Sequence, residues 1–413
     1  MKKLSALIVV SLFSLNIYMH GSVNSFKSGQ DRSIEFPDTE NYLTITSDLH
    51  THSVFSDGHV WPNIRVAEAM KDKLDAIAIT EHLEYQPHIR YIPNKNRNIA
   101  FLEAKKAADE SDLIVIAGSE ITREMPPGHL NAVFIKDANT LFNIDESLLP
   151  EARRRMSEAV NIEDLSDEEL EVADQYALGN LYSPFEALEE AKRQGAFIFW
   201  NHPMWGSQAN DGVSRLTEMH KQMIAKDLIH GIEVVNTNEY SEEALQIALD
   251  NNLAIIGTSD VHELIEWDYD SSKNEHRPVT LILSEERNQN SIKEALLDRR
   301  TIVFYKNKLI GKEENLVPLL DSILGFKSQG YRGDTSILRV EISNNSSSDM
   351  TLKNLSAYNF SRSDDYIFIP KNETKTIMVK TLEVIKAIKL KFEVLNAITA
   401  PKKHAVVEAT IEL

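Results

Sequence analysis

The sequence predicts an α/β protein with a barrel-like domain of alternating strands and helices, followed by a small β-sandwich-like C-terminal domain. Up to about residue 305, short apolar runs alternate with helical patterns, as in buried strands of α/β folds. From residue 331 onward, strand-like runs are separated by Gly, Ser and Asn. With 413 residues, 42% of them hydrophobic, the chain can bury a large core.

Seven runs are candidate barrel strands because they are apolar, mostly β-branched, and bounded by polar or glycine residues. These runs are Leu43–Ser47, Ala76–Thr80, Leu113–Gly118, Leu130–Ile135, Ala196–Trp200, Gly231–Val235 and Ala254–Gly257. The helical patterns between them include Ile64–Lys71, Ile99–Glu110, Glu242–Asn251 and a helix that begins at Ser183. At that helix, Pro184 at the first position and Glu186 three residues after Ser183 predict a capping box.

One connection breaks the alternation of strands and helices. About ten residues, including Pro126, Pro127 and Gly128, separate the third strand from Leu130–Ile135. A parallel crossover needs a dozen or more residues and usually a helix. The connection therefore predicts a hairpin, with the Leu130–Ile135 strand antiparallel to its neighbour.

The predicted domain boundaries follow from these patterns. Residues 43–305 form the barrel domain, and residues 143–181 are an acidic helical insertion, either a cap over a site or a solvated excursion. Residues 306–330 form a helical connector. Residues 331–413 form the β-rich domain, with strands at Ile337–Ile342, Tyr366–Ile369, Thr376–Lys380 and Lys389–Val394.

The N-terminus and the charge restrict location and partners. Lys2 and Lys3 precede the apolar stretch Leu4–Met19, which is the layout of a secretory signal peptide, here residues 1–22; an uncleaved anchor is the alternative. We expect an exported, periplasmic protein that has no membrane contact once the signal peptide is removed. The net charge of −19 disfavours a nucleic-acid polymer as partner. Without cysteine, any metal must be held by His, Asp and Glu.

Histidines and acids follow the predicted strands. The residues that share this placement are His50, His52, Asp57, His82, Glu120, His129, His202, Asp260 and His262. In a parallel barrel the carboxyl ends of the strands meet at one rim, where functional residues converge. His129 lies at the start of its strand, but an antiparallel strand starts at that same rim. The sequence therefore predicts that all nine side chains meet.

This donor set predicts a metal centre rather than nine unrelated surface residues. The i, i+2 spacing of His50 and His52, and of Asp260 and His262, puts both side chains of each pair on one side of an extended backbone. Imidazole and carboxylate ligands suit Zn, Mn or Fe. Nine donors are too many for one ion, so we expect two or three divalent ions, with Glu120 bridging.

The order of these motifs resembles the PHP (polymerase and histidinol phosphatase) superfamily. The motifs are H-x-H-S-x-x-S-D-G at His50–Gly58, T-E-H at His82, G-x-E at Glu120, G-H-x-N at His129, N-H-P at His202 and S-D-x-H at Asp260–His262. The resemblance implies a distorted (β/α)7 barrel with one antiparallel strand, and a di- or trinuclear centre that hydrolyses phosphate esters.

The resemblance also implies how the ligands are shared. One ion would be held by His50, His52, Glu120 and Asp260. A second would be held by Asp57, His82 and His262. Glu120 would bridge to a third, held also by His129 and His202. The sequence departs from the family pattern in two places, because Asp57 stands where some members have histidine and Glu81 where many have aspartate.

Further motifs resemble the exported Sb-PDE-type phosphodiesterases of the same superfamily. They are N-T-N-E-Y-S-x-E-A-L at Asn236–Leu245, T-S-D-V-H-x-L-I-x-W-D-Y at Thr258–Tyr269, H-R-P-V-T at His276–Thr280 and K-N-x-L-I-G-x-E-E at Lys306–Glu314. The expected chemistry is attack on phosphorus by a metal-bridging hydroxide. Arg123 and Arg277 are candidate cations for the phosphoryl oxygens, with a rim salt bridge as the alternative role. His276 or His88 is a candidate proton donor to the leaving group.

Four functions fit the sequence to different degrees. A phosphodiesterase acting on a small phosphate ester is the first. A phosphomonoesterase of the histidinol-phosphatase type would use the same metals, but its doubly charged substrate would call for more cations. An amidohydrolase-like C–N hydrolase fits less well, since those sites usually occupy a full eight-stranded barrel. A catalytically silent binding protein would not need the full ligand set.

Overall fold

The computed structural model describes residues 32–142, 145–158, 161–273 and 275–413. The predicted signal peptide lies outside these residues. The seven barrel strands are β1 (Leu43–Asp48), β2 (Ala76–Ile79), β3 (Ile114–Ile121), β4 (Leu130–Val133), β5 (Phe197–Trp200), β6 (Gly231–Asn236) and β8 (Ala254–Thr258), with the short β7 (Glu239–Tyr240) after β6. The seven predicted strands therefore occur in the predicted order.

The predicted antiparallel strand is confirmed. β1, β2 and β3 are parallel, and so are β5, β6 and β8, whereas β4 is antiparallel to both of its neighbours. The end of β8 returns to the end of β1, where the Asp260 amide donates to the His50 carbonyl (3.0 Å) and Thr51 bridges to Val261. The carboxyl ends of the parallel strands and the start of β4 thus share one rim.

The barrel interior is a packed core. Ile45, Ala78, Ile116, Phe199 and Ile256 come from five different strands and belong to one buried cluster. Neighbours on these strands, such as Ile77, Val115 and Ile255, belong to other buried clusters, as the two-residue period of a strand requires. The interior is therefore filled by side chains, and only the rim is available for polar groups.

Helices cover the barrel on the outside. They are α1 (Pro62–Lys71), α2 (Ile99–Ala107), α3 (Leu149–Met156), α4 (Asp167–Leu181), α5 (Pro184–Gln194), α6 (Glu218–Ala225), α7 (Glu242–Asp250), the short α8 (Ile265–Asp268) and α9 (Gln289–Leu297). Ser183 is the N-cap of α5, as predicted, but its side chain makes no capping hydrogen bond. The capping box predicted there is wrong; a complete one occurs instead at Ser166, before α4.

The barrel sheet continues into additional antiparallel strands. β9 (Val279–Ser284) pairs antiparallel with β1, β10 (Thr301–Tyr305) with β9, and β11 (Lys308–Gly311) with β10. The fold is thus a mixed sheet with more antiparallel strands than the single one expected. After β11, α10 (Glu313–Ile323) leads to the C-terminal strands.

The C-terminal domain consists of seven further strands. They are β12 (Leu324–Tyr331), β13 (Ile337–Asn344), β14 (Met350–Asn354), β15 (Tyr366–Ile369), β16 (Thr374–Lys380), β17 (Ala387–Ala400) and β18 (Lys403–Glu412). β12, β13 and β16 form a separate three-stranded sheet, while β17 pairs parallel with β11 and so extends the barrel sheet. β12 begins inside the range assigned from sequence to the connector. Within the described part of the chain, no helix is both long and apolar enough to cross a bilayer.

Candidate metal centre

The nine predicted donors lie together at the barrel rim. Seven of them follow β1, β2, β5 or β8, Glu120 lies near the end of β3, and His129 directly precedes β4. Most of the nine side chains are buried. Three groups of their side chains, each with its donor atoms within 4.8 Å of one another, could hold an ion. These groups are His50, His52 and Glu120; His52, Asp57, His82 and His262; and His82, Glu120 and His129.

The first group extends to Asp260. His50 Nε2 and His52 Nε2 are 3.0 Å apart, and Asp260 Oδ1 lies 3.2 and 3.1 Å from them. Glu120 Oε2 lies 3.4 and 3.3 Å from the same two nitrogens. Ligands about 2.0–2.1 Å from a tetrahedral ion are separated by about 3.3 Å, so these four side chains fit the first coordination sphere of a divalent metal.

A second group lies on the other side of His52. Asp57 Oδ2 is 3.4 Å from His82 Nε2, and Asp57 Oδ1 is 3.1 Å from His262 Nε2. His52 Nδ1 is 3.8 Å from Asp57 Oδ1, so His52 borders both groups rather than belonging to the first alone. Asp57 is held by a tight turn in which the Gly58 amide donates to the Ser53 carbonyl (3.0 Å).

Glu120 connects the groups through its two oxygens. Oε2 faces His50, His52 and His82, the last at 2.9 Å from His82 Nδ1. Oε1 accepts from Asn201 Nδ2 (3.0 Å) and lies 2.8 Å from His129 Nδ1 and 3.4 Å from His202 Nε2. The carboxylate therefore has the placement required of a bridging ligand.

Two donors come from residues with unusual backbone conformation. His202 has φ of 28° and Asp260 has φ of 50°, in the left-handed region that residues with a Cβ rarely adopt. Such strain persists only where the surroundings impose it, and it is concentrated at functional sites. Here, hydrogen bonds from the His202 amide to Glu233 Oε2 (2.6 Å) and from the Asp260 amide to the His50 carbonyl help to hold both conformations.

The rim is electrostatically balanced between imidazoles and carboxylates. Burial alone would lower the pKa of His50, but Asp260, Glu233 and Glu120 raise this pKa well above its usual value. Burial also lowers the pKa of His262, but Asp57 and Asp260 outweigh it and raise this pKa to about 9. Burial raises the pKa values of the Asp57, Glu120 and Asp260 carboxyl groups. The facing imidazoles outweigh this effect, so all three pKa values are lowered. A cation placed among them would displace protons from the imidazoles.

A buried glutamate that the sequence did not single out orients this centre. Glu233 Oε1 lies 2.9 Å from His50 Nδ1, on the side of the ring away from Asp260, and also accepts from Thr258 Oγ1 (2.6 Å). Carboxylates in this position fix the tautomer of a metal-binding histidine and increase its basicity. The signal in the sequence is a glutamate inside the apolar run of β6, where an acid needs a partner.

Other side chains orient the remaining donors. Thr122 Oγ1 lies 2.7 Å from His82 Nδ1, and Gln208 Nε2 lies 3.1 Å from His202 Nδ1. Glu81 is not one of the nine metal-ligand candidates. Its carboxylate accepts hydrogen bonds from the Ser53 amide (3.1 Å) and from the Ser56 hydroxyl (2.5 Å). Glu81 thus ties the turn that carries Asp57 to the end of β2.

The three predicted catalytic side chains do not join the donors. Arg277 is buried and pairs with Asp48 (3.1 Å) and Asp72 (2.8 Å). The ring of His276 stacks on Phe304 with centroids 4.0 Å apart, and its Nδ1 lies 2.8 Å from the Arg277 carbonyl oxygen. The expected roles of Arg277 as a cation at the centre and of His276 as proton donor are therefore wrong, because proximity to a motif along the chain did not bring either one to the rim.

Arg123 lies nearer the centre but is also engaged. Its guanidinium pairs with the buried carboxylate of Glu84, and it adjoins Thr122, which lines the cavity at the centre. This is the salt bridge that the sequence left open as the alternative role. His88 is likewise absent from the described residues that line that cavity.

The metal centre opens into a cavity of about 650 Å³. Asp57, His82 and His129 form part of its wall. Helix α4, from the predicted insertion, forms another part through Glu168, Val172 and Tyr176, among others. Helix α4 of the insertion thus contributes to the wall of this cavity.

The fold is similar to that of a solved protein over nearly the whole chain. A two-domain protein from Bacteroides vulgatus ATCC 8482, which contains a predicted PHP-like metal-dependent phosphoesterase, is 34% identical. The match covers 93% of the present chain and 100% of the other, with a TM-score of 0.77. The chain belongs to the PHP family. Its PHP domain matches over residues 48–252, and an Ig-like domain matches over residues 324–410.

Other similarities to this PHP protein are partial. An uncharacterized protein of Methanocaldococcus jannaschii is 44% identical over 80 residues, which are 19% of this chain. The chain spans 34% of the length of that relative. An amidohydrolase from Chromobacterium violaceum, solved with bound sulfate and no metal, is 18% identical with a TM-score of 0.36; the match covers 52% of this chain and 87% of that protein. A similarity at this level does not bear on activity.

Proposed function

We propose that this PHP protein is a metal-dependent phosphoesterase that prefers small phosphodiesters. The observation that carries the proposal is the placement of Glu120, whose two oxygens face histidines of different donor groups at 2.8–3.4 Å. Bridging carboxylates of this kind hold adjacent ions, and paired ions are a common solution for phosphoryl transfer. The full-length similarity to a protein with a predicted PHP-like metal-dependent phosphoesterase supports the same reaction class.

Each part of the centre has a distinct role in this proposal. His50, His52, Glu120 and Asp260 would hold one ion, and Asp57, His82 and His262 a second, with His129 and His202 on the far oxygen of Glu120. When bound, such ions supply an activated water nucleophile and stabilise charge on phosphoryl oxygens. Glu233 fixes the orientation of His50, and the cavity keeps the ester beside the donors. Zn, Mn and Fe all suit these ligands.

The preference for diesters is supported by the disposition of cations. A monoester carries one more negative charge than a diester and would benefit from additional Lys or Arg at the site. Arg123 and Arg277 are engaged with carboxylates, and the described residues that line the cavity include Glu168 and Glu169 but neither Lys nor Arg. A singly charged diester therefore fits this environment better. The Sb-PDE-type assignment is part of this proposal.

A paired assay tests the proposal. Protein loaded with Mn or Zn is expected to turn over bis(p-nitrophenyl) phosphate faster than p-nitrophenyl phosphate, and metal analysis should find at least two ions per chain. Glu120→Ala should lose both metal and activity, whereas Glu218→Gln on the exposed surface of α6 should retain both. Faster turnover of the monoester would support the histidinol-phosphatase type instead. Hydrolysis of neither ester by fully loaded protein would contradict the phosphoesterase assignment.

Export is a separate part of the proposal and rests on the sequence alone. Lys2, Lys3 and the apolar stretch Leu4–Met19 precede the described residues. N-terminal sequencing of the mature protein from a periplasmic fraction should find a new N-terminus near residue 22. Full-length protein retained in the cytoplasm would contradict it.

A further inference from the structure

The cavity beside the metal centre has an aromatic wall that the hydrolytic chemistry itself does not require. Tyr85, Tyr176 and Trp205 all line it. The rings of Tyr85 and Tyr176 meet edge to face with centroids 6.3 Å apart, and Tyr85 also meets His82 edge to face at 5.9 Å. The aromatic surface therefore starts at a metal donor and continues outward onto helix α4.

A third aromatic residue, Trp205, flanks the donors from another loop. The Trp205 ring lies 5.2 Å from the His202 ring, at a steep angle of 79°, and 5.7 Å from the His129 ring. Trp205 is 44% exposed, although most large apolar side chains of the barrel are buried. An exposed tryptophan beside a polar centre is well placed to contact a bound molecule, because its large rigid ring gives up little freedom on contact.

The charges of the cavity limit what can occupy it. Its acidic members, Glu168 and Glu169, lie on α4 and would repel an additional anionic group. Both are engaged: Glu168 lies 3.5 Å from Arg90 and from the Tyr91 hydroxyl, and Glu169 accepts from the Ser166 amide (2.8 Å) and hydroxyl (2.7 Å). These contacts hold both carboxylates in place beside the cavity. A neutral substituent is therefore favoured over an anionic one.

We propose that the aromatic wall formed by Tyr85, Tyr176 and Trp205 binds a neutral, planar aromatic substituent of the substrate. This inference rests on the proposed function, since it places the phosphoryl group at the metal donors. The substituent then extends along the wall to α4, and Val172 and Ala173 add apolar surface beside Tyr176. The helical insertion is thus a specificity element, and a substrate bearing an aryl or nucleobase group fits the cavity better than one bearing a simple alkyl group.

Binding of four phosphinates to the metal-loaded protein, measured by calorimetry, tests this inference without turnover. Each phosphinate group carries one negative charge, as a phosphodiester does, and has no ester bond. The probes are dimethylphosphinate, methyl(phenyl)phosphinate, cyclohexyl(methyl)phosphinate and methyl[2-(trimethylammonio)ethyl]phosphinate. We expect the phenyl probe to bind about three- to tenfold more tightly than the dimethyl probe, which is the range of specific aromatic contacts, and more tightly than the cyclohexyl probe. Tyr176→Ala and Trp205→Ala should each reduce the ratio of phenyl to methyl affinity.

Two further variants separate the ring from other effects. Tyr176→Phe keeps the ring and should keep the preference. Tyr366→Ala removes a tyrosine that is 56% exposed on β15 of the C-terminal domain, and it should behave as wild type.

The outcomes that overturn the inference are distinct. Equal binding of the phenyl and methyl probes would overturn the aromatic subsite and leave the phosphoesterase assignment intact. Cyclohexyl binding as tight as phenyl would show that only apolar volume matters, and tightest binding of the trimethylammonio probe would show a cationic substituent. Failure of all four probes to bind would overturn the proposed function together with this inference.

Discussion

His50 is held between two carboxylates, with Nδ1 2.9 Å from Glu233 Oε1 and Nε2 3.2 Å from Asp260 Oδ1. Nε2 thus faces the other metal donors, while Glu233 fixes Nδ1 on the opposite edge of the ring. Because Glu233 also accepts from the His202 amide, a single buried acid on β6 orients two donors that follow different strands, β1 and β5.

Replacing Glu233 with Gln should weaken metal binding about 10- to 100-fold, the usual effect of losing a carboxylate behind a metal-binding histidine. The side-chain shape is preserved, so the fold should persist. The measurement is competition with a chelator of known affinity. Glu239→Gln, at an exposed position on β7, is the matched control and should bind metal as wild type does. Unchanged affinity in Glu233→Gln would exclude this orienting role.

Metal binding should strengthen as the pH rises. Three imidazoles have raised pKa values in the cluster, His50 and His82 well above the usual value and His262 at about 9. A metal requires them neutral, so binding releases protons, and the affinity should increase from pH 6 towards about pH 9. Calorimetry in two buffers of different ionisation enthalpy measures the protons released. No proton release at pH 7 would contradict the charge state described here.

The same shifts set the stability of protein from which the metal has been removed. A raised pKa in the folded state stabilises the fold below the unfolded-state pKa, about 6.5 for histidine, and this stabilisation is lost as the pH rises through the folded-state value. Asp57, Asp260 and Glu120 have lowered pKa values, so their contribution is already complete above pH 5 and constant in this window. The Tm of chelator-treated protein should therefore fall between pH 6.5 and 9. The Tm of metal-loaded protein should fall less.

Gly58→Ala should disturb the second donor group. A Cβ at position 58 would lie 2.8 Å from the backbone carbon of His52 and 2.8 Å from the Ser53 amide nitrogen, and backbone cannot move aside cheaply. We expect a loss of about 1–3 kcal/mol in the free energy of unfolding, as for other overpacked sites, together with weaker binding of one ion. Gly206→Ala is the control, since no atom lies within 4 Å of its Cβ position. Wild-type metal stoichiometry and stability in Gly58→Ala would show that the turn can open without cost.

Arg277→Met should act on stability. Removing Arg277 leaves buried Asp48 without its counter-charge and leaves Asp72 with Arg32 as its remaining partner, which costs about 3–5 kcal/mol. Denaturant unfolding measures the change. Arg193→Met, at a side chain that is 72% exposed, should alter stability by less than about 0.5 kcal/mol. A fully stable Arg277→Met protein would mean that the buried pair is dispensable.

The sequence predicted the rim of donors because strand ends are readable from local pattern. His129 is the clearest case: a connection too short for a crossover predicted that β4 is antiparallel, and the structure confirms that orientation. The role of Glu233 was not predicted, because its partner His50 is 183 residues away and only the fold brings the two together. The opposite error occurred at Arg277 and His276, where nearness along the chain was taken for nearness in space.

The pairing of β11 with β17 has a consequence for how the two domains behave. Leu309 and Ile310 lie opposite Ala397 and Ile398, so one hydrogen-bonded sheet runs without interruption from the barrel into the Ig-like domain. The C-terminal domain is therefore part of the barrel sheet and not a module joined to the barrel by a linker alone. Cutting the chain after residue 323 would uncover a bare strand edge on the barrel, and such edges recruit strands from other molecules. The isolated barrel should accordingly self-associate, with the Ig-like domain serving in the intact chain as the built-in cover of that edge.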